Sequence, residues 1–593
     1  MALAKIEITQ DTYLVGIGVS PGISIGEVCL LASRPAIDAA EISPDLVDTE
    51  LQRFRSALNQ AREQLNNIKR AVSKQEHLRE HLYILETHLL ILDDDMLVKG
   101  TEQAIRKLLN AEAALSRTLD KLRALFDNIE DEYLRERRSD VDAVGDRLLR
   151  ILAGASERSL GQIGRRSLVV AHDLSPAETM QMDRSNILGF LTDKGGRTSH
   201  TAILARSLDI PAIVGLENIT ALVTERMPII IDGSSGVVVL NPSPATVQEY
   251  RNRKQSFEDL ERELERLREL PGRTTDNCTI ALRGNLELPG EFALACKHAA
   301  EGVGLFRTEF LYLGRSTPPS EEEQFQTYCQ VLQIMPEHPV TIRTLDIGGD
   351  KFVPELNLAD ECNPAMGLRA IRFSLREVTL FRIQLRAILR ASHYGKVRIM
   401  FPMISGVAEI RACKRMLRDA AVELEQEGLK YDPDLEVGIM VETPSAVLIA
   451  PLLAREVDFF SVGTNDLIQY CLAVDRGNEY VAYLYDPLHP AILRALKATC
   501  DAANNAGIHV CICGEMAGEP LYAMVLVGLG FHELSMNPSC VPRVKRVLRQ
   551  VSRRDGELLV EKLLQLATSK EVSCQIDEDM RKLLPDIFDR PII

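Results

Sequence analysis

The chain has 593 residues, too many for a single hydrophobic core, so several domains are expected. Apolar residues make up 46% and charged residues 26%, a composition typical of globular proteins. The formal net charge of -16 excludes broad nucleic-acid binding, which needs a surplus of Lys and Arg to displace counterions. The charge fits a basic protein partner, or solubility alone.

Export and membrane signals are not visible in the sequence. Met1–Tyr13 lacks the apolar core of a signal peptide, and no window approaches the ~20 apolar residues that span a bilayer. Of twelve cysteines, only Cys29 precedes Cys278, so no even disulfide framework runs along the chain. Cys511 and Cys513 have no second pair at zinc-ligand spacing. The sequence therefore predicts a reduced, cytoplasmic protein without membrane contact.

The first part of the chain combines strand-like and helical patterns. Residues 14–32 are Gly-rich and apolar, and they predict a strand, a turn and a second strand. From about Asp45 to Leu152, apolar residues recur at three- and four-residue spacing, which predicts an inserted helical bundle. Ser43 and Pro44 suit its start, as N-cap and first helical residue. Strand-like runs then resume and end near Asn241.

The second part of the chain begins after a charged run, QSFEDLERELERLREL, which stops at Pro271-Gly272. Opposite charges at i,i+3 and i,i+4 within this run indicate an exposed linker helix, and the alternative is a short coiled coil. From Cys278 onward, apolar runs alternate with helical sequence: TIALRGNLE, GVGLF, VTIRTLD, VRIMFP, EVGIMVE, DFFSVG, HVCICG and FHELSM. Such a set of strand–helix units favours a (β/α)8 barrel over an open doubly wound sheet.

Charged and polar residues follow the predicted barrel strands, at the ends where barrels of this kind gather their catalytic residues. They are Arg307, Thr308, Glu309, Arg343, Asp346, Glu442, Asn465, Asp466 and Cys513, with Arg369 before a helix and Arg476 ten residues after Asp466. Carboxylates suit Mg²⁺, and guanidinium groups suit phosphate and carboxylate oxygens. Any single arginine could pair with a neighbouring carboxylate instead. Convergence at so many strand ends predicts a site for a divalent metal and a small, multiply charged anion.

A second group of residues surrounds His200, in GGRTSHTAILARSLDIPAIVG at 195–215. Thr198 or Ser199 would cap the helical stretch that follows and place His200 in its first turn. There, backbone N–H groups and the helix dipole favour an anion such as a phosphorylated imidazole. A lone histidine is usually structural or solvated. The context of this one indicates a phosphoryl acceptor.

These motifs resemble enzyme I of the phosphoenolpyruvate-dependent sugar phosphotransferase system. The similarity extends from VGIGVSPGISIG near the start to GEMAGEP and FHELSMNP near the end. GGRTSHTAILARSLDIPAIVG matches the phosphohistidine signature of this family, and DFFSVGTNDLIQYCLAVDR matches its phosphoenolpyruvate-site signature. The resemblance implies autophosphorylation on His200 from phosphoenolpyruvate with release of pyruvate. The phosphoryl group would then pass to a histidine of the carrier HPr, as the first step of sugar uptake.

The resemblance also implies roles for individual residues. His200 would be the phosphoryl acceptor, and Cys513 would protonate the enolate to give pyruvate. Phosphoenolpyruvate would be bound by Arg307, Arg343, Asn465, Asp466 and Arg476, with Arg369 in a supporting role. Glu442 and Asp466 would bind Mg²⁺. Thr179 would hydrogen-bond the His200 ring before transfer.

The implied fold class is a multidomain α/β protein. Residues 1–36 and 157–244 would form a phosphohistidine α/β domain, interrupted by a helical HPr-binding insert at 37–156. Residues 245–272 would form a linker helix. Residues 273–593 would form a phosphoenolpyruvate-binding (β/α)8 barrel that makes the protein a homodimer.

Related proteins offer alternatives to this function. A phosphoenolpyruvate synthase or pyruvate phosphate dikinase would carry an ATP-binding domain before the His200 segment, and no nucleotide loop precedes Gly195. The nitrogen-branch paralogue of enzyme I usually carries an N-terminal sensory domain, whereas this chain starts directly with the phosphohistidine-domain strand. A catalytically silent binding module would not need every chemical residue of these motifs. The sequence therefore favours the sugar branch.

Overall fold

The computed structural model describes residues 10–31, 40–72, 82–127, 138–154, 165–174, 179, 186–196, 205, 210–287, 292–312, 317–347, 363–476, 478 and 480–588. The chain divides into two compact units, Met1–Glu261 and Arg262–Ile592. His200 lies outside the described residues. Among the described helices, none is both long enough and apolar enough to cross a bilayer.

The first unit is built on a mixed sheet. Its strands are β1 Thr12–Val15, β2 Ile17–Ser20, β3 Ile23–Leu30, β4 Ser167–Ala171, β5 Ile187–Thr192, β6 Ala212–Val214, β7 Pro228–Asp232 and β8 Val237–Leu240. They lie in the order β1-β8-β7-β3-β4-β5-β6-β2, and β3 to β6 run parallel. In β4, Leu168 and Val170 pack in one core and Val169 and Ala171 in another. From Leu168 onward this strand is apolar because both of its faces are buried.

The N-terminal apolar segment is divided at Gly16, where the sequence predicted one continuous strand before the turn. β1 pairs with β8 at one edge of the sheet, whereas β2 pairs with β6 at the other edge. Gly16 donates its N–H to the carbonyl of Gly236 at 2.9 Å. A Cβ at Gly16 would lie 2.8 Å from the Ile213 side chain. The apolar pattern of the sequence continues across Gly16, so the division into two strands is visible only in the strand pairing.

Five described helices after β3 form the predicted helical insert. They are α1 Val47–Val72, α2 Leu82–Leu92, α3 Asp95–Ile105, α4 Ala111–Asp127 and α5 Arg138–Leu152. Phe54 and Leu148 of the insert share a core with Phe190 of the sheet. The predicted start of the bundle is confirmed in position, because Ser43 is the N-cap and Pro44 the first residue of a 3₁₀ turn, Pro44–Leu46, that leads directly into α1. The Ser43 hydroxyl bonds the Asp45 carboxylate and makes no capping hydrogen bond to a backbone N–H.

The predicted linker helix is longer than the charged run that indicated it. α6 Ile219–Leu222 lies within the first unit, and α7 Pro244–Leu267 contains the boundary between the two units. The pair Arg253–Glu249, at 2.8 Å and i,i+4, extends the charge pattern toward the start of α7. Tyr250 is buried on the first unit, which explains why the helix begins before the run.

The second unit is a closed barrel of eight parallel strands, as predicted. The strands are β9 Ala281–Leu286, β10 Val303–Arg307, β11 Val340–Arg343, β12 Val397–Phe401, β13 Glu436–Val441, β14 Phe459–Val462, β15 His509–Ile512 and β16 Glu533–Met536. The helices are α8 Phe292–Lys297, α9 Glu321–Ile334, α10 Ala370–Arg376, α11 Val378–Ser392, α12 Val407–Gln426, α13 Pro444–Leu448, α14 Ala450–Leu453, α15 Thr464–Leu472, α16 Pro490–Ala506, α17 Ala523–Leu529, α18 Val541–Leu548, α19 Arg553–Leu563, α20 Ser569–Leu583 and α21 Pro585–Phe588. Each strand overlaps the apolar run that predicted it.

The barrel interior is filled by alternate residues of its strands. Leu305, Met400, Met440, Phe459 and Cys511 form a small interior core, distinct from the larger core between strands and helices. Residues two positions further along each strand share the same inward face. Of these inward positions, Arg307, Glu442 and Cys513 line the C-terminal mouth of the barrel.

An ion cluster closes the opposite end of the barrel interior. Glu533, the first residue of β16, accepts hydrogen bonds from Arg398 of β12 at 3.0 and 3.1 Å and pairs with Arg283 of β9 at 2.6 Å. Arg398 also lies over the Phe459 ring, 4.9 Å from its centroid. One buried carboxylate thus compensates two guanidinium groups that are almost removed from water.

We expect Glu533→Gln to destabilise the barrel by about 3–5 kcal/mol, because two guanidinium groups lose their buried counter-charge. Urea unfolding of the purified chain measures this change. The control is Glu456→Gln, which removes the partner of the exposed Arg411 and should shift the midpoint little. Equal midpoints for the two variants would contradict this account of the ion cluster.

Candidate active site

The C-terminal mouth of the barrel opens into a cavity of about 620 Å³. Eight residues predicted as site residues line it: Arg307, Arg343, Arg369, Glu442, Asn465, Asp466, Arg476 and Cys513. Glu309, Asp346 and Asp475 also line it, so the described walls carry four arginines and five carboxylates. Residues far apart in the sequence meet here because parallel strands end at the same edge of a barrel.

Arg343, the last residue of β11, is at the centre of the charged cluster. Its guanidinium group pairs with Glu309 at 2.5 Å and with Asp346 at 2.7 Å, and only 8% of the side chain is exposed. Burial disfavours the charged form, but Asp346 and Glu309 outweigh burial, and the pKa of Arg343 is raised. Its buried Nε has no hydrogen-bond partner among the described residues. A permanent cation with an unused donor suits an oxyanion.

Asp346 connects Arg343 to a second arginine. Arg369 pairs with Asp346 at 2.9 Å and approaches Asp466 at 3.5 Å, and Arg476 lies 4.0 Å from Asp466. Burial acts to raise the pKa of Asp346, but Arg343 and Arg369 outweigh it and the pKa is lowered. These alternating charges restrain the side chains in advance, which reduces the entropy lost when a ligand binds.

Glu442 directly follows β13 and is 1% exposed. Its Oε1 accepts a hydrogen bond from the N–H of Met403. Burial raises the pKa of Glu442 well above its ordinary value, and Asp346 and Asp466 raise it further. No group of three or more His, Cys, Asp or Glu arranged for a metal occurs among the described residues. The carboxylates of Glu442 and Asp466 repel each other, and such a pair nevertheless fits a hard divalent cation that takes its other ligands from substrate and water.

Asn465, at the start of α15, ties together the segments that follow β14 and β15. Its Nδ2 donates to Glu515 Oε1 at 3.2 Å, and the N–H of Glu515 donates to Asn465 Oδ1 at 3.2 Å. A Cβ on Gly514 would lie only 1.7 Å from Thr464 Oγ1, so this close approach requires glycine. The Asn465 amide is therefore held at the cavity wall by its two hydrogen bonds to Glu515.

Cys513 directly follows β15, and its thiol lies in a buried part of the cavity wall. The Ser461 hydroxyl donates to Cys513 Sγ at 3.3 Å. Asn285 donates to the Cys513 carbonyl at 2.8 Å and accepts from Ser535 at 2.6 Å. Burial raises the pKa of the Cys513 thiol to about 11, against the hydrogen bond from Ser461, which lowers it. The thiol is therefore protonated at neutral pH, as a general acid must be.

Several residues of the site were missed by the sequence motifs. Glu287 pairs with Arg307 at 2.5 Å, Asn285 holds the Cys513 backbone, and Ser461 contacts the thiol. Asn285 and Glu287 continue an alternation of inward polar residues along β9. That period of two within TIALRGNLE was the signal that could have identified them.

The segment that leads to His200 begins at the C-terminal edge of β4 and β5 in the first unit. Asp193, buried directly after β5, lies 2.9 Å from Nδ1 of His172. Gly195 has φ of 115°, a conformation that favours glycine. Thr179 is buried in the same unit. The contact between Thr179 and the His200 ring stays a prediction, since the ring lies outside the described residues.

Models of phosphoenolpyruvate-utilising enzymes match most of the chain. The N-terminal model matches residues 15–137, and the mobile-domain model matches residues 163–236. The phosphoenolpyruvate-binding domain model matches residues 261–553, which include every strand of the barrel.

Solved structures also resemble part of the chain. A solution structure of enzyme I (nEIt) is 38% identical, covers 41% of this chain and 99% of its own, and has a TM-score of 0.36. The N-terminal domain of Enzyme 1 - Nitrogen is 25% identical, covers 40% of this chain and 98% of its own, and has a TM-score of 0.30. TM-scores this low support no conclusion about the fold.

Curated relatives extend the similarity to nearly the whole chain. The phosphoenolpyruvate-protein phosphotransferase of Haemophilus influenzae is 42% identical over 570 residues, which cover 95% of this chain and 98% of the relative. That of Cupriavidus necator is 43% identical over 580 residues, covering 94% and 97%. That of Staphylococcus carnosus is 40% identical over 570 residues, covering 95% and 98%. The chain therefore belongs to the phosphoenolpyruvate-protein phosphotransferase family.

Proposed function

We propose that this enzyme autophosphorylates on His200 from phosphoenolpyruvate and passes the phosphoryl group to a histidine of an HPr-type carrier, starting sugar uptake. The cavity at the barrel mouth is the observation that carries this proposal. It combines arginines, paired carboxylates and a protonated thiol, which suit a small substrate bearing both a phosphate and a carboxylate. Synthase or dikinase activity is disfavoured, because the relatives that match nearly the whole chain are protein phosphotransferases.

The arginines would bind the two anionic groups of phosphoenolpyruvate. Arg307 and Arg343 would hold the phosphate, Arg476 and Asn465 would complete its site, and Arg369 would support them. The buried Nε atoms of Arg343 and Arg369 lack hydrogen-bond partners within the described part of the chain, which supports this assignment. Buried donors of this kind are normally satisfied by a ligand or by water.

Glu442 and Asp466 would hold the metal, which we propose to be Mg²⁺. When bound, the ion neutralises charge that develops on the transferring phosphoryl group. The raised pKa of Glu442 reflects burial and the nearby carboxylates Asp346 and Asp466, and a cation would relieve that repulsion.

The residues of the chain would then divide the chemistry into two steps. The His200 imidazole forms a nitrogen–phosphorus bond as the bond from phosphorus to the enol oxygen breaks, and the electron pair stays on the enolate. Cys513 gives its S–H proton to the methylene carbon, which yields pyruvate and a thiolate. The Ser461 hydroxyl, 3.3 Å from Sγ, donates a hydrogen bond that stabilises this thiolate.

The proposed partners are the carrier and a second copy of the chain, both in the cytoplasm. The helical insert would bind HPr, and its exposed Leu90 and Met96 suit a protein partner. The barrel would form the homodimer. Leu448 and Leu452, exposed on α13 and α14, offer apolar surface that a second copy would cover.

His200→Ala should abolish incorporation of label from radiolabelled phosphoenolpyruvate, because the acceptor nitrogen is lost. The label is measured on the denatured protein under conditions that preserve phosphohistidine. His338→Ala, which changes an exposed histidine of the barrel, should label normally. Full labelling of the His200→Ala variant would contradict the assignment.

Glu442→Gln and Asp466→Asn should each remove both activity and the response to Mg²⁺, because one metal ligand is lost. The loss should exceed the ~10–100-fold typical of partners that only support a metal ligand. Pyruvate release measured against Mg²⁺ concentration tests this. Asp419→Asn, on the exposed face of α12, is the control. A variant with wild-type turnover and metal response would show that its residue is not a ligand.

Cys513→Ser should lower pyruvate formation by ~10²–10⁴-fold, because a hydroxyl is a much weaker acid than a thiol. Binding of phosphoenolpyruvate should survive, since the arginines are unchanged. Cys511→Ser is the matched control. Cys511 shares the inward face of β15 but lies deeper, where its thiol donates to the Phe460 carbonyl at 3.0 Å. If Cys511→Ser were the impaired variant, Cys513 would not be the proton donor.

A further inference from the structure

A buried hydrogen-bond network lies behind the cavity, between the barrel wall and its surrounding helices. Its centre is Gln384 of α11, which is fully buried. Gln384 Oε1 accepts from the N–H of Leu345 at 2.9 Å, and Nε2 donates to the Thr308 hydroxyl at 3.1 Å. Thr308 in turn donates to the carbonyl of Arg343 at 2.8 Å. One side chain on an outer helix thus connects two strand ends of the cavity.

The network contacts the chain next to its charged residues. β11 ends at Arg343, so the N–H of Leu345 lies beyond the sheet, and Gln384 supplies its acceptor. Asp346 follows Leu345 directly, and Glu309 follows Thr308 directly. The network therefore holds the backbone beside all three members of the cluster formed by Arg343, Asp346 and Glu309.

We propose that Gln384 is a positioning residue for phosphoenolpyruvate binding. It holds the backbone of residues 343–346, and through that backbone it sets the Arg343 guanidinium group and the Asp346 carboxylate in the cavity. This inference rests on the proposed function, in which Arg343 binds the substrate phosphate. A displacement of about 1 Å at such a group is enough to lower catalytic efficiency by ~10²-fold.

The polar side chain at position 384 indicates a positioning role, because packing alone would be served by an apolar residue. The residues three or four positions away on α11, Phe381, Ala387 and Ile388, are buried and apolar, so a leucine at 384 would suit the same helix face. Burying an amide is unfavourable unless its polar atoms are bonded. Gln384 meets that requirement with one bond to each of the two strand-end segments.

The outer half of the same network provides a matched control. Gln384 Nε2 lies 3.5 Å from the Tyr328 hydroxyl, which donates to Gln324 Oε1 at 3.1 Å. Gln324 is buried as deeply as Gln384, but its hydrogen bonds connect Tyr312, Tyr328 and the carbonyl of Pro319. Loss of the Gln324 amide should therefore lower stability without moving the cavity arginine.

The test is the rate at which the full-length chain takes label from radiolabelled phosphoenolpyruvate with Mg²⁺, measured over a range of substrate concentrations. Gln384→Leu should raise the half-saturating concentration by about 10- to 100-fold. Thr308→Val, which keeps the side-chain shape and removes the bridging hydroxyl, should do the same. Thr308→Ser keeps the hydroxyl, so its half-saturating concentration should be close to that of the wild type. Gln324→Leu should leave it unchanged, although its unfolding midpoint should fall about as far as that of Gln384→Leu.

The outcomes distinguish the inference from the function on which it rests. A wild-type chain that takes no label overturns the proposed function itself. A labelled wild type with normal half-saturation in both Gln384→Leu and Thr308→Val overturns the positioning role. Equal impairment in Gln324→Leu also overturns it, because loss of stability would then explain the effect. If Gln384→Leu does not fold, the Thr308→Val and Thr308→Ser pair still decides the question.

Discussion

The buried guanidinium group of Arg343, paired with Glu309 and Asp346, is the interaction on which the barrel mouth depends. A charge withdrawn from water is tolerated only when partners compensate it, and here both partners come from the ends of neighbouring strands. Glu309 follows β10 and Asp346 follows β11, and the pairing of these two strands brings their ends together. Asp346 then binds Arg369, and Arg369 approaches Asp466, so the remaining charges of the cavity are placed in relation to Arg343.

Buried arginines pair with carboxylates at both ends of the barrel interior, but the two clusters have different surroundings. At the N-terminal end, one carboxylate, Glu533, pairs with both Arg283 and Arg398 in a compact ion cluster. At the C-terminal end, the Nε atoms of Arg343 and Arg369 have no partner among the described residues. Among the described residues, the Nε atom of Arg283 likewise has no hydrogen-bond partner, although it lies 2.6 Å from the Glu533 carboxylate. The two clusters differ instead in their access to the cavity, because Arg343 and Arg369 line it and Arg283 and Arg398 do not.

Burial shifts the pKa values of the titratable groups in the cavity, and neighbouring charges decide whether each pKa is raised or lowered. Cys513 has few compensating charges, and burial raises the pKa of its thiol to about 11. Glu442 is buried beside other carboxylates, and its pKa is also raised. Asp346 is buried between two arginines, and its pKa is lowered. One cavity can thus present a protonated acid together with permanent cations, as the proposed function requires.

The sequence by itself determined the eight barrel strands and the helical insert, because parallel strands read as apolar runs and amphipathic helices repeat every three to four residues. It also identified the strand-end residues of the cavity, since position along the chain shows where each strand stops. Only the tertiary structure decided the division at Gly16 and the partners of those residues. Ser461 beside Cys513, and Gln384 bonded to Thr308, are separated by 52 and 76 positions in the chain. Such contacts follow from barrel closure and helix packing, which local sequence patterns do not encode.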